Sequence, residues 1–149
     1  MRFVDIDPGD PLINSDVLPV LVQLRPHLDA ESFAAVYAEG APQGLRLTAA
    51  YDGEGDEEAL AGVVCWRILA TTTVIRKLYV DALVANSSVR SRGTGQALFE
   101  YLEQKAKDAD CATIELDSGV QRFDAHRFYM RQRMSIGAHH FTKNISKDA

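Results

Sequence analysis

The sequence has few cysteines, no long apolar run and no metal-binding spacing. Its two cysteines, Cys65 and Cys111, lie in apolar runs predicted to be buried strands. Two buried thiols suit a reducing compartment, so we expect a cytoplasmic protein with no metal site. No stretch has transmembrane length and the polar N-terminus is unlike a signal peptide, so we expect no membrane association.

A basic excess is also missing, and this excludes another class of protein. The net charge of -5 argues against a general nucleic-acid-binding protein. The composition, 46% hydrophobic and 25% charged, is typical of a globular chain long enough to bury a core. Repeats, linkers and low-complexity segments are absent from the sequence, so we expect residues 1–149 to form one domain.

Local patterns predict the element order β-α-α-β-β-β-α-β-α-β. The predicted strands are 2–6, 45–51, 60–69, 73–84, 112–116 and 135–145, and the predicted helices are 15–24, 29–40, 93–107 and 124–131. Ser15 and Asp29 are the expected caps of the first two helices, and Phe33, Val36 and Tyr37 the expected buried face of the second. Because a helix separates the strands ending at 84 and 116, we expect these two to be parallel.

The most informative motif is Arg90-Ser91-Arg92-Gly93-Thr94-Gly95, between a strand and a helix. The first N–H groups of a helix have no intrahelical partner and lie at the positive end of its dipole. Glycines at 93 and 95 let the backbone approach a bulky anion. A GxGxxG pattern is absent, and Gln96 after Gly95 excludes a Walker loop. The motif therefore predicts a phosphorylated small molecule bound across this turn.

Two motifs together resemble those of the GCN5-related N-acetyltransferase (GNAT) family. Arg90-x-x-Gly93-x-Gly95 after a hydrophobic strand is similar to the family's acetyl-CoA motif. Asp124-Ala125-His126-Arg127-Phe128-Tyr129 is similar to the short helix that closes the same site. The last third also resembles the bacterial aminoalkylphosphonate N-acetyltransferases. The resemblance implies an α/β (α+β) GNAT fold: a mixed, mostly antiparallel sheet whose parallel strand pair is splayed at the cofactor site.

The resemblance implies acetyl-CoA as cosubstrate, with its pyrophosphate on the N–H groups of residues 92–96 and its pantetheine arm beside the strand ending at 84. The cofactor residues so implied are Leu83, Val84, Ala85, Arg90, Ser91, Arg92, Gly93, Thr94, Gly95, Gln96, Arg122 and Ala125. Arg122 stands where the family often has asparagine. Arg133-Met134 replaces the common Gly-Phe, so this helix has to end without a glycine in the left-handed conformation.

Acyl transfer to an amine requires proton transfer and donors to the oxyanion. The resemblance places Tyr129 against the thioester sulfur, and a phenol with an ordinary pKa of about 10 is the candidate acid. Asp81 is the candidate base. Strict alternation along the strand would put its side chain on one face of the sheet and those of Val80 and Ala82 on the other. Glu115 and Asp117 are alternatives, and an amine that arrives neutral needs no base. The N–H of Val84 or a neighbour is the candidate donor to the thioester carbonyl.

The resemblance implies direct transfer of acetyl from acetyl-CoA to a primary amine of a small molecule, in a ternary complex. A peptide acceptor, attracted by the acidic loop 52–58, and a non-catalytic CoA-binding regulatory module are the alternatives. A basic cluster either meets an anionic ligand or is a solvated helix face: Arg122, Arg127, Arg131 and Arg133. His139 and His140 would point to opposite faces of a strand, which disfavours a shared metal. The family habit implies a homodimer.

Overall fold

The computed structural model describes residues 1–89 and 92–146. Two predicted cofactor residues, Arg90 and Ser91, therefore lie outside the described residues. Contacts along the chain divide it into two compact units, Met1–Leu116 and Asp117–Ala149. Among the described helices, none is long and apolar enough to cross a membrane.

A five-stranded sheet is the framework of the first unit. Its strands lie side by side in chain order. They are β1 (Arg2–Asp5), β2 (Arg46–Asp52), β3 (Ala59–Thr71), β4 (Ile75–Ala85) and β5 (Thr113–Leu116). The first four are antiparallel neighbours, and β4 and β5 are parallel. The predicted mixed sheet with one parallel pair is thus confirmed. The pair is parallel because a helical crossover joins β4 to β5.

Three helices belong to the first unit and one to the second: α1 (Leu18–Leu21), α2 (Ala30–Gly40), α3 (Thr94–Asp108) and α4 (Phe123–Arg131). The predicted cap of α2 is confirmed. The Ser32 N–H donates to the Asp29 carboxylate at 2.8 Å, and the Asp29 N–H donates to the Ser32 hydroxyl at 2.9 Å. This reciprocal pairing satisfies two backbone donors at the start of the helix.

The prediction for the first helix was wrong in its start and its cap. A π-helical turn occupies Ile13–Val17, followed by the short α1, and neither begins with a side-chain cap. The π turn runs directly into α1, so Pro19 lies within a continuous helical stretch. A proline there has no N–H to donate, which is consistent with the departure from regular α geometry just before it. In α2, Phe33 and Tyr37 are buried as predicted but Val36 is 47% exposed, because the buried stripe follows the i, i+4 line.

Each face of the sheet carries its own hydrophobic core. One core joins the N-terminal helices to the sheet and includes Val17, Leu21, Phe33, Val63 and Cys65. The other joins α3 to the sheet and includes Val64, Trp66, Leu78, Leu98 and Leu102. Helices therefore cover both faces of one sheet, a three-layer arrangement.

A β-bulge in β4 overturns the alternation predicted around Asp81. Cys65 and Trp66 of β3 pair with Ala82 and Val80, so Asp81 between them has no opposite residue. Val80 consequently packs in the α3 core and Ala82 in the other core, not on one face. The last pair between β4 and β5 is Val80 with Leu116. The bulge thus lies where the two parallel strands part.

The predicted last strand, 135–145, is absent: residues 135–146 contain no helix or strand. The apolar residues Ile136, Phe141 and Ile145 fall at both even and odd positions. Neither face of a strand would then be apolar, and burial could not select a register. Five strands, not six, are therefore present in the described part of the chain.

Candidate active site

The predicted phosphate-binding turn is a helix N-terminus without a side-chain cap. Gly93 precedes α3 in the left-handed conformation, with φ of 75°. Its carbonyl accepts from the Ala97 N–H at 2.9 Å. The N–H groups of Thr94, Gly95 and Gln96 therefore point out of the helix toward the turn. A Cβ added to Gly93 would meet no described atom within 4 Å, so none of the residues that the structure describes fills the space beside this glycine.

Thr94 adds a second indication of a ligand at this turn. Its side chain is 4% exposed, and its hydroxyl has no hydrogen-bond partner among the described residues. A buried polar group without a partner costs about 1–3 kcal/mol. A diphosphate supplies acceptor oxygens for both the helix N–H groups and such a hydroxyl. The turn therefore fits the phosphate groups of CoA.

Gly62 of β3 lets α3 begin against the sheet, and the sequence analysis did not single it out. A Cβ there would lie 2.8 Å from Thr94 Cγ2 and from the Val84 carbonyl oxygen, and 3.0 Å from Leu98 Cδ1. The start of α3 therefore lies where a side chain at position 62 would be. A lone glycine inside an apolar strand was the available signal, since it often marks a close approach of another element.

Beyond the bulge, one edge of β4 is not paired with any strand of the described chain. The Asn86 N–H donates to the Ala61 carbonyl at 2.7 Å. In this antiparallel pairing Val84 also turns its backbone groups to β3, while Leu83 and Ala85 turn theirs to the open edge. That edge suits an extended arm that binds as an added strand would. Of the three predicted positions, Val84 is the one whose N–H does not face the edge.

Gln23 and Asn86 form a clamp of hydrogen bonds on residues 86–88, which follow β4. Gln23 Nε2 donates to Asn86 Oδ1 at 3.0 Å, and Gln23 Oε1 accepts from the Ser87 N–H at 3.0 Å. Asn86 Oδ1 also accepts from the Ser88 N–H at 3.0 Å, and Nδ2 donates to the Leu60 carbonyl at 2.8 Å. Residues 86–88 are thus bonded to Gln23, which lies just after α1, and to Leu60 of β3. An asparagine directly after a strand was the only sequence signal for this clamp.

A cavity of about 420 Å³ adjoins this clamp. Asp16, Tyr51, Leu60 and Asn86 are among its lining residues. The Tyr51 hydroxyl donates to Asp16 at 2.7 Å. Burial first, and then this hydrogen bond, raise the pKa of Tyr51 to about 12. Tyr51 therefore remains protonated at neutral pH and acts as a donor in the cavity wall.

The candidate base Asp81 is the exposed residue of the bulge. Its backbone carbonyl accepts from Arg25 Nη2 at 2.8 Å. Burial first, and then the charge of Asp81, raise the pKa of Cys65 to about 12. Cys65 is therefore a protonated, buried thiol and a poor nucleophile.

The alternative base Glu115 is held by two neighbours on the sheet. Lys77 Nζ donates to one of its oxygens at 3.1 Å, and the Thr113 hydroxyl donates to the other at 2.7 Å. Both carboxylate oxygens of Glu115 therefore already accept hydrogen bonds on the sheet. Asp117, the other alternative, belongs to the second unit, where it faces His140 Nδ1 at 3.5 Å.

In the second unit, α4 carries the candidate acid. Tyr129 is half-buried, and its ring meets the ring of Phe128 edge-on at 5.5 Å. Arg122 and Ala125, both predicted to bind cofactor, line a depression of about 380 Å³ at the start of the helix. Arg127, also in its wall, is paired with Asp124 at 2.6 Å.

The end of α4 shows how the chain replaces the family's glycine. Arg133 adopts the left-handed conformation itself, with φ of 64°. Its N–H donates to the Met130 carbonyl at 3.0 Å, and the Met134 N–H donates to the Tyr129 carbonyl at 3.1 Å. These two bonds form a Schellman motif, which normally has glycine at this position. An L-residue there costs about 1–2 kcal/mol.

In this sheet a parallel strand pair parts at a bulge, and an uncapped glycine turn begins α3. The model of the acetyltransferase (GNAT) family matches residues 16–133. The chain therefore belongs to the GNAT family, and it is an acyl-CoA-dependent acetyltransferase.

Individual relatives agree with this membership. The uncharacterized N-acetyltransferase YhdJ of Bacillus subtilis (strain 168) is 31% identical over 136 residues, 85% of this chain and 88% of that protein. Aminoalkylphosphonate N-acetyltransferase of Salmonella typhimurium is 33% identical over 66 residues, only 44% of this chain and 43% of that protein. The structure of AAC(6')-Iy in complex with the bisubstrate analog CoA-S-monomethyl-acetylneamine superposes on this chain with a TM-score of 0.77 and 11% sequence identity. The match covers 98% of this chain and 99% of that one. This last likeness concerns the fold alone.

Proposed function

We propose that the chain transfers acetyl from acetyl-CoA to the primary amine of a small molecule, directly within a ternary complex. The observation that carries the proposal is the uncapped start of α3 at Gly93, with the orphan hydroxyl of Thr94 and the open edge of β4. The N–H groups of residues 94–96 bind the diphosphate. Leu83 and Ala85 bond the arm, which directs the thioester to the bulge at Asp81.

The reaction then forms one bond and breaks another. The amine nitrogen attacks the thioester carbonyl carbon, and the C–N bond forms as the carbonyl oxygen takes negative charge. The outward backbone N–H of Leu83 donates to that oxygen. When the tetrahedral intermediate collapses, the C–S bond breaks and Tyr129, on the family's pattern, protonates the leaving thiolate. The surplus proton on nitrogen passes to water or, through water, to Asp81.

The small-molecule acceptor class has support from one of the relatives. The Salmonella protein is named for aminoalkylphosphonates. That name describes amines of low molecular weight. Two free thiols, Cys65 and Cys111, support a reducing and therefore cytoplasmic setting. We extend the proposal to a homodimer, to be tested by native mass spectrometry.

The test combines cofactor binding with transfer. Calorimetry with CoA measures binding, and the release of free thiol from acetyl-CoA with a panel of primary amines measures transfer. We expect binding, and thiol release with at least one small amine. Binding without release on any amine or peptide would favour the regulatory module, release only with peptides would favour a protein acceptor, and absence of binding would overturn the proposal.

A further inference from the structure

A row of polar side chains begins where the core of the N-terminal helices ends on the sheet. Cys65 of β3 and Ala82, its pairing partner on β4, are 4% and 5% exposed and are the last buried residues of this core along the two strands. Arg67 follows Cys65 by two residues on β3, so it lies on the same face, opposite Tyr79 of β4. Arg67 is half-buried. The face that carries α1 and α2 therefore changes from apolar to cationic beside the bulge.

Arg25 brings a second guanidinium to the same place. It follows α1, and its Nη2 reaches the Asp81 carbonyl at 2.8 Å. Asp81 is the bulged residue across from Cys65 and Trp66. The charges of Arg25, Arg67 and Asp81 all act on the Cys65 thiol, which is consistent with their lying around one point of the sheet.

Positive charge is in excess around this point. Two guanidiniums stand beside one carboxylate, that of Asp81, whereas Lys77 farther along β4 is paired with Glu115. Within residues 1–89 and 92–146, Arg67 donates no hydrogen bond to another residue and forms no ion pair. A half-buried guanidinium has five donors in a planar fork. That fork matches a carboxylate, phosphate or phosphonate, and leaving it without an acceptor costs free energy.

We propose that Arg67 and Arg25 form an anion subsite of the acceptor pocket, so that the acetylated amine carries a carboxylate, phosphate or phosphonate. This inference rests on the proposed function, which brings the amine to the thioester at the bulge. Arg67 binds the anion with its free fork. Arg25, which already holds the bulge carbonyl, adds charge and links anion binding to the shape of β4. The anion would thereby orient the amine toward the thioester carbon.

The decisive experiment compares amines that differ in charge. 2-Aminoethylphosphonate and β-alanine are paired with ethanolamine and propylamine, and kcat/KM is measured by thiol release. For the unaltered protein we expect at least about tenfold preference for the anionic amines. Arg67→Gln should lower kcat/KM about 10- to 100-fold for the anionic amines and less than about twofold for the neutral ones. Arg67→Lys should keep part of the preference, since it keeps the charge and loses the fork.

The controls separate binding of the anion from folding of the protein. Arg46→Gln removes an exposed guanidinium from β2 of the same sheet and should leave the preference unchanged. Melting temperature and affinity for CoA report on the fold of each variant. Calorimetric titration of β-alanine into the CoA-saturated protein, where no transfer can occur, should show binding that Arg67→Gln abolishes.

Two results would overturn the inference and leave the proposed function standing. One is equal or better transfer to the neutral amines by the unaltered protein. The other is an Arg67→Gln variant that loses rate equally on both kinds of amine, which would mean a structural role for Arg67. Failure of every amine to release thiol would remove the proposed function, and this inference with it.

Discussion

The two units of this chain differ in how far their side chains are buried. In Met1–Leu116, two apolar cores hold helices to both faces of the sheet. In the second unit, by contrast, none of the described residues 117–146 is buried. Several large apolar side chains there are between 64% and 91% exposed, namely Val120, Phe123, Ile136, Phe141 and Ile145. The one predicted strand that the described residues lack, 135–145, falls in the unit without buried residues.

The same contrast divides the proposed chemistry. The phosphate-binding turn and the open edge of β4 belong to the well-packed unit, whereas Tyr129 belongs to the exposed one. Changes in the first unit should therefore alter stability and cofactor affinity together. Changes in the second should alter turnover with little effect on stability. The following substitutions test this division.

The largest effect is expected from Tyr129→Phe. Loss of a general acid typically lowers rate by about 10²–10⁴, so kcat should fall by about 100-fold or more while the Kd for CoA stays nearly constant. Stopped-flow thiol release over a range of pH measures the rate, and calorimetry measures the Kd. Tyr101→Phe is the matched control, because that hydroxyl bonds to Asp5 at 2.8 Å on the other unit. An unchanged rate at every pH would remove Tyr129 as the acid.

Leu98→Ala should have the next largest effect, this time on stability. Leu98 is fully buried in the α3 core, and such truncations cost about 2–5 kcal/mol of unfolding free energy. Phe141→Ala removes a larger side chain that is 91% exposed, and it should cost less than about 0.5 kcal/mol. Urea unfolding measures both. Similar losses for the two variants would contradict the contrast in packing.

Gly93→Val should weaken cofactor binding at least about tenfold. At a φ of 75° a residue other than glycine is strained by about 1–2 kcal/mol, and a β-branched residue by more. The valine side chain would also occupy the space in which the proposed anion binds. Calorimetry with CoA checks the loss. Gly137→Val is the control, because a Cβ there meets nothing within 4 Å and its φ is not positive. Full affinity in Gly93→Val would mean that the anion binds elsewhere.

The smallest effect is expected from Arg133→Gly. Glycine adopts the left-handed conformation of this position without steric cost, so the end of α4 should be stabilised by about 1 kcal/mol. Hydrogen exchange of the Met134 amide, which donates to Tyr129, should slow by up to about fivefold. Arg131→Gly, inside the helix, should instead destabilise α4. Faster exchange in Arg133→Gly would show that the arginine side chain has a stabilising role of its own.

Local features account for what could be predicted. The strands of the first unit, α3 and the cap at Asp29 depend on periodicity, glycine placement and hydrogen bonds between residues three apart. The turn at Gly93 was predictable for the same reason. The last strand was not, because a strand is stable only with a partner for its backbone groups, and residues 135–145 contain no signal that one exists.

Neighbouring residues alone encode the strand, the glycine turn and the helix at the predicted anion site, because each of these depends on local periodicity and glycine placement. Tertiary packing is what makes Asp81 bulge from β4, sets Gly62 against Thr94 and brings Arg25 to the Asp81 carbonyl. These three features join residues that are distant along the chain. Their placement follows from strand register and packing, which no local pattern records.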